Sequence, residues 1–230
     1  MSKTVLIDFP ILNEGYGPDD REEYTRKLEA IAARHGIRPI GRYDTLQHLS
    51  GSLQGAIGVN LWEMDAPDAL ESLLADDDYK ASIGWRDRLH DMERLAMYVA
   101  TPVLDGGPSD PDKPALLDLV VLNPGMTLDD RAEYGKTIAP IAAELGAKVV
   151  RSFRIDRHLS GEVPGAVEFN IWELPDPGVI EKLISHPDYQ AAIPTRDRIH
   201  NMEQLTMILA KPRPSSSSPA LAAARSRAES

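Results

Sequence analysis

The sequence has no cysteine among its 230 residues, which excludes a disulfide, a thiolate nucleophile and a zinc–thiolate site. It also lacks any apolar run of about 18 residues, so no helical membrane span is predicted. Positive charge is scarce, because 25 Lys and Arg stand against 36 Asp and Glu, a formal net charge of −11. Such a chain repels phosphate groups, and we expect neither a nucleic-acid nor a membrane partner. The first residues lack signal-peptide features, which predicts a cytoplasmic protein.

What the sequence does contain is an internal repeat. A shift of 110 residues aligns residues 3–102 with residues 113–212 without a gap, and about 40 of the 100 aligned positions are identical. The segment His48-Leu49-Ser50-Gly51, for example, recurs as His158-Leu159-Ser160-Gly161. Repeats of this length indicate that one structural module occurs twice. We therefore predict a first module over 1–104, a turn-rich linker over 105–112, a second module over 113–212 and a disordered tail over 213–230.

Each module has the element order β-α-β-β-α-β, in which apolar and alternating runs predict strands and longer amphipathic runs predict helices. The second helix of each module is expected to break near Gly84, because the second copy has Pro194 at the same place. This order is that of the ferredoxin-like fold, whose two helices cover one sheet face. The other face must also be covered, and the second module is the obvious cover. The predicted fold class is α+β, with two tandem ferredoxin-like modules packed sheet to sheet as a pseudo-dimeric α+β barrel.

Element order, together with local patterns such as Asp78-Tyr79 followed by Arg86-Asp87-Arg88, resembles the dimeric α+β-barrel superfamily, which includes antibiotic-biosynthesis-monooxygenase-like proteins. The resemblance covers both modules. It implies a pocket inside the barrel or between a sheet and its helices, and a wide range of activities. These include cofactor-free monooxygenases, haem-degrading enzymes, chlorite dismutase-like haem proteins, cyclases and isomerases. The resemblance therefore favours the fold more than any one function.

Strand alternation sorts side chains onto two faces of each sheet. We expect Val5, Ile7 and Phe9 to pack against the helices, with Tyr43 and Phe153 beside them. The opposite face would then point into the barrel. It carries four polar or aromatic positions that are identical in both copies: Asp8 and Asp118, His48 and His158, Asn60 and Asn170, Trp62 and Trp172. Polar groups collected inside an enclosed space are typical of a ligand site.

Four further positions on the expected inner face differ between the copies. Arg42, Tyr98, Arg154 and Glu168 correspond to Ser152, Ile208, Asp44 and Gly58. Because a fused pair of modules can make one site asymmetric, we assign these four residues to substrate binding, together with Asn60, Trp62, Asn170 and Trp172.

These residues predict a cofactor-free enzyme that acts on a small molecule by acid–base chemistry, such as a cyclase, isomerase or lyase of biosynthetic type. Asp8 or Asp118 would move a proton, and His48 or His158 would assist. One alternative is a monooxygenase, either cofactor-free or haem-dependent, with haem bound by His90 or His200. Another is a non-catalytic ligand-binding module. Each residue also has a structural interpretation, in which the aspartates pair with Arg42 or Arg154 and the histidines bond the adjacent hairpin. No metal is expected, and association of the unit into a homo-oligomer is left open.

Overall fold

A computed structural model of the chain describes residues 3–214. The disordered tail predicted from residue 213 therefore lies outside the described residues, except for Arg213 and Pro214. Arg213 belongs to the folded part, because its guanidinium donates to Asp44 at 2.6 Å and to Glu22 at 2.8 Å. Within residues 3–214, no helix is both long enough and apolar enough to cross a membrane.

The two modules have the same sequence of elements, except that the second predicted helix is two helices in each. The first module contains β1 (Thr4–Phe9), α1 (Pro18–Ala33), β2 (Ile37–Ser50), β3 (Gly58–Met64), α2 (Ala69–Ala75), α3 (Asp77–Leu89) and β4 (Ala96–Asp105). The second contains β5 (Ala115–Val121), α4 (Leu128–Glu144), β6 (Lys148–Ser160), β7 (Ala166–Glu173), α5 (Val179–Ser185), α6 (Pro187–Ile199) and β8 (Thr206–Pro212).

The helix break was predicted at the wrong residue. It lies at Asp76 and His186, whereas Gly84 and Pro194 sit inside continuous helices. The side chain of Asp76 accepts hydrogen bonds from the backbone N–H groups of Asp78 and Tyr79, at 2.8 and 3.1 Å. An N-cap of this kind satisfies N–H groups at the start of a helix, so a new helix begins where the capping side chain stands.

The eight strands form one closed antiparallel barrel in the order β1-β3-β2-β8-β5-β7-β6-β4. Within each module the strands pair as a ferredoxin-like sheet, and the modules meet at two seams, β2 with β8 and β4 with β6. Each module thus supplies half of the wall. The predicted pseudo-dimeric α+β barrel is confirmed, with the helices outside.

The predicted direction of the side chains is inverted in β1, β2 and β6. Val5, Ile7, Phe9, Tyr43 and Phe153 fill the barrel interior instead of packing under the helices. Aromatic rings hold the centre, where Phe9 meets Tyr98 edge to face at 6.0 Å between ring centroids and Phe169 at 5.5 Å. An eight-stranded barrel is only wide enough for side chains to fill it, so the more uniformly apolar strand face belongs inside.

Candidate functional site

Asp8 lies on the outer face of the barrel, beneath the helices of the first module, and it is 8% exposed. One carboxylate oxygen, Oδ1, accepts a hydrogen bond from the Asn60 amide at 2.6 Å, and the other, Oδ2, accepts one from the Trp62 indole N–H at 2.7 Å. The Nη2 atom of Arg21 is 3.5 Å from Oδ1. Asp8 therefore forms the polar floor of a candidate site, and two hydrogen bonds and a nearby cation fix the position of its carboxylate.

Strand pairing explains why these side chains meet. In the antiparallel pair of β1 and β3, Asp8 stands opposite Asn60, and Leu6 stands opposite Trp62. Residues directly opposite and two apart along the partner strand share a face and lie within side-chain reach. Arg21 comes from the second turn of α1, which begins at Pro18. The first helix thus places a cation above the carboxylate.

A cavity of about 340 Å³ extends from Asp8 between the sheet and the helices. Besides Asp8, Arg21 and Trp62, polar side chains from the helices and from the turn that follows α3 line the cavity. These are Tyr24, Tyr79, Arg86 and His90. Arg86 donates to the Tyr79 hydroxyl at 2.9 Å, which fixes both groups. Most of the remaining lining is apolar: Leu6, Leu28, Ala32, Leu70, Leu73, Leu74, Met92, Leu95, Met97 and Leu159. An apolar cavity with a few convergent polar groups is the usual form of a small-molecule site.

His90 is buried in the wall of this cavity, 3% exposed, directly after the end of α3. Its Nδ1 atom lies 3.1 Å from the carbonyl oxygen of Arg86, and its ring packs edge to face on Tyr24 with the centroids 5.3 Å apart. Burial, and secondarily the charge of Arg21, lower the pKa of His90 to about 4. The ring is therefore neutral at pH 7, and its Nδ1–H donates to the carbonyl.

The second module repeats the arrangement with three differences. Its cavity beneath the helices is smaller, about 120 Å³. Its aspartate, Asp118, also shares Arg131 with a second carboxylate, because Arg131 Nη2 is 3.6 Å from Asp118 and 3.6 Å from Glu168. Burial raises the pKa of Asp118, and the neighbouring Glu168 raises it further against the opposing effect of Arg131. The amide of Asn170 donates to Glu168 in this copy.

Comparison with known proteins identifies the fold. No family model matches the sequence, and no curated protein matches it either. Solved structures do match over most of the chain. An anthrone oxidase-like protein is 14% identical, with 94% of each chain covered and a TM-score of 0.58. A chlorite dismutase variant from Candidatus Nitrospira defluvii is 8% identical, covering 92% of this chain and 91% of that one, with a TM-score of 0.53. A candidate monooxygenase from Fusobacterium nucleatum is 11% identical over 93% and 95% of the chains, at 0.51.

The chain has the dimeric α+β-barrel fold. Identities this low show the fold and leave the activity to be argued from the site. In this α+β barrel the predicted group Asp8, Asn60 and Trp62 does come together, and Trp172 lines the cavity of the second module as Trp62 does that of the first. The group lies under the helices, however, and not inside the barrel as predicted.

The predicted histidines are not part of either cavity beneath the helices. His48 lies at the end of β2, where its Nε2 atom is 3.0 Å from the carbonyl oxygen of Ala56 across the hairpin. This contact agrees with the structural interpretation of His48, in which the ring bonds the adjacent hairpin. His158 packs against the ring of Tyr98, with the centroids 5.4 Å apart. The structure therefore separates both histidines from the aspartates with which they were grouped.

The remaining predicted binding residues are scattered over the barrel. Tyr98 is inside, as expected, but it is fully buried and donates its hydroxyl to the carbonyl of Val163 at 3.0 Å. Arg154 lies on the surface and pairs with Asp156 at 3.0 Å. Arg42 lies on the outer face, above the ring of Trp62 at 5.8 Å from the centroid, and it pairs with Glu29. Of these three, only Arg42 adjoins the site.

Sequence reasoning missed the helical half of the site, because it looked for the pocket inside the barrel. The missed residues are identical in the two copies at the 110-residue spacing: Arg21 and Arg131, Tyr24 and Tyr134, Tyr79 and Tyr189, Arg86 and Arg196, Met92 and Met202. Identity at these positions was the signal that could have found them. Within residues 3–214, no group of three or more His, Cys, Asp or Glu side chains is placed to hold a metal ion.

Proposed function

We propose that this protein is a small-molecule enzyme in which Asp8 transfers a proton to or from an apolar substrate bound beneath the helices of the first module. The observation that carries the proposal is a carboxylate held by two N–H donors at the floor of a mostly apolar cavity. General acid–base catalysis needs such a group within hydrogen-bond reach of the substrate. Because His90 lines this cavity and His48 does not, the proposal gives His90 the assisting position first assigned to His48.

The first module is the better candidate for the active half. Its cavity of about 340 Å³ lies within the usual range for small-molecule sites, which begins at about 300 Å³. The 120 Å³ cavity of the second module falls well below that range. Asp118 also shares its arginine with Glu168, so it is less free to act on a ligand.

Proton transfer fits two reaction classes. A cyclase, isomerase or lyase would use it alone. A cofactor-free monooxygenase would use it to form a substrate anion that then reacts with O₂. Structural likeness to an anthrone oxidase-like protein and to a candidate monooxygenase favours the second class. That class makes anthrone a suitable probe, since its acidic CH₂ group lies between apolar rings, and anthrone plus O₂ gives anthraquinone plus water.

Haem was the alternative cofactor, and the fit to this site is incomplete. His90 has the chemistry of an iron ligand, because its Nδ1–H is held by a backbone carbonyl and its ring is neutral. The cavity that it lines, however, is only about 340 Å³, near the lower end of the range for small ligands. We therefore propose that the reaction proceeds without haem. A Soret band in the purified protein would contradict this. It stays a prediction that neither a nucleic acid nor a membrane is a partner, and association of the unit into a homo-oligomer stays open.

The experiment is anaerobic exchange of the anthrone CH₂ protons in deuterated buffer, followed by NMR, with O₂ uptake measured separately. Exchange reports proton transfer, and O₂ uptake reports the oxygenase reaction. Asp8→Asn should lower the enzyme-dependent exchange rate by about 100-fold or more. The matched control, Asp118→Asn, should leave it unchanged. Equal rates in the wild type and the Asp8→Asn variant would refute the assignment.

A further inference from the structure

A second space adjoins the cavity in the first module. It is a groove of about 580 Å³ on the outer face of the barrel, between the start of α1, the strands β2 and β3, and Arg213, which follows β8. The groove is lined by Arg21, Arg42, His48, Gly58 and Asn60, among other residues. Arg21 also lines the cavity that contains Asp8. The two spaces therefore meet at one guanidinium group.

Two arginines of this groove have few partners. A guanidinium carries five N–H donors, yet within residues 3–214 Arg21 makes one hydrogen bond, to the Thr25 hydroxyl at 2.8 Å, and one looser ion pair, to Asp8 at 3.5 Å. Arg42 makes one ion pair, to Glu29. The Nε atoms of both arginines are buried without a partner in the described part of the chain, as is the Nε atom of Arg131 in the second module. Buried donors without partners cost free energy, so Arg21 and Arg42 both retain donors that an acceptor on a ligand could satisfy.

The other charges around the groove are already paired. Arg213 is held by Asp44 and Glu22. Glu29 is taken by Arg42, and Asp8 accepts from Asn60 and Trp62. The donors that remain for a ligand are those of Arg21 and Arg42.

The repeat shows what belongs beside Arg21. At the equivalent place in the second module, the carboxylate of Glu168 lies 3.6 Å from Arg131 and accepts a hydrogen bond from Asn170. The first module has Gly58 there. A Cβ atom on Gly58 would come within 2.2 Å of the carbonyl oxygen of Tyr43, so the backbone itself keeps this position free of a side chain. In the first module the Asn60 amide donates to Asp8 instead, and no side chain takes the place of Glu168 beside Arg21.

We infer that the groove binds a carboxylate of the ligand, which takes the place that Glu168 fills in the second module and is held by Arg21 and Arg42. Planar guanidinium groups bind carboxylates with two parallel hydrogen bonds, which suits this pair. The apolar body of the ligand then extends past Arg21 into the cavity above Asp8. The inference rests on the proposed function, because it takes the cavity above Asp8 as the place where the apolar part of the substrate binds. It specifies the substrate class as an apolar ring system that carries a carboxylate.

The test compares 1-naphthoate with the neutral 1-naphthalenemethanol by titration calorimetry on the full chain. Naphthoate should bind about 10-fold more tightly or better, the effect of one hydrogen bond between charged groups. Arg42→Met should remove this preference and leave the affinity for the alcohol unchanged. Arg21→Met should likewise reduce the preference for naphthoate over the alcohol. Its matched control in the second module, Arg131→Met, should leave naphthoate binding unchanged because Glu168 already occupies that position.

Equal affinity of the acid and the alcohol for the wild type would overturn the inference, as would an equal loss of both ligands in Arg42→Met. Binding of neither probe would overturn it too. Failure here is distinguishable from failure of the proposed function. Anthrone exchange that depends on Asp8 without an acid preference would overturn the carboxylate site alone. An acid preference that depends on Arg42, without exchange that depends on Asp8, would contradict the enzyme alone.

Discussion

His90 and His200 should make the protein lose stability in mild acid. Burial lowers the pKa of each ring to about 4 in the folded state, whereas an unfolded histidine has a pKa of about 6.5. As the pH falls through 6.5, the unfolded chain takes up protons that the folded chain does not, and the folded state loses stability. At pH 5, each histidine should have lowered the free energy of unfolding by about 2 kcal/mol relative to pH 7.5.

This magnitude depends little on the folded pKa, because at pH 5 the folded rings are still mostly neutral. The window also separates the histidines from the acidic groups. Hydrogen bonds from Thr127 to Asp130 lower the pKa of that carboxyl group. Its stabilising effect is lost only as the pH falls below its unfolded value of about 4. The loss between pH 7.5 and 5 should therefore come mainly from histidine.

The assay is urea unfolding followed by circular dichroism at pH 7.5 and pH 5. Its reference is a His90→Asn, His200→Asn double variant. Asparagine can still donate to the carbonyls of Arg86 and Arg196, which accept from the histidines at 3.1 and 3.0 Å. Wild type should lose about 4 kcal/mol more than the double variant between the two pH values. The reasoning is refuted if both proteins lose the same amount.

Two further predictions concern buried hydrogen bonds. Tyr98→Phe removes the hydroxyl that bonds the backbone carbonyl of Val163 at 3.0 Å, and it should lower the free energy of unfolding by about 1–3 kcal/mol in urea titrations. An unchanged midpoint would contradict this. The amide of Asn13 donates to three carbonyls at the end of α3, including that of His90 at 3.0 Å, and Asn123 does the same at the end of α6. Asn13→Ala and Asn123→Ala should each cost about 1–3 kcal/mol, and thermal unfolding that shows no loss in either variant would refute the equivalence.

The barrel could be predicted from the sequence because the repeat constrained it. One ferredoxin-like module leaves a sheet face that must be covered, and the second copy at a spacing of 110 residues was the available cover. Alternation in β1 also separated Val5, Ile7 and Phe9 from Asp8 correctly, since a strand has a period of two. Which face turns inward could not be read from β1, where Leu6 makes both faces partly apolar. The inward direction follows from the interior volume of an eight-stranded barrel.

The site was predictable only in part for the same reason. Asp8, Asn60 and Trp62 were grouped correctly, because neighbouring strands with a shared face bring them together whichever way that face points. Arg21 could not be assigned while the helices were placed on the other side, and His90 was considered only as a haem ligand. Strand alternation alone also misplaced His48. It lies on β2, but well beyond Arg42, the residue of β2 that stands opposite Asn60 and thus level with Asp8.

The two seams between modules, β2 with β8 and β4 with β6, have a consequence for assembly. Both seams join parts of one covalent chain, so closing the cylinder is a first-order step whose extent does not change on dilution. Two separate subunits would have to find each other by collision, and each would meet an identical copy. Here each half always faces the same, non-identical half. One module can therefore acquire a substitution that the other does not share, as the difference between Gly58 and Glu168 shows.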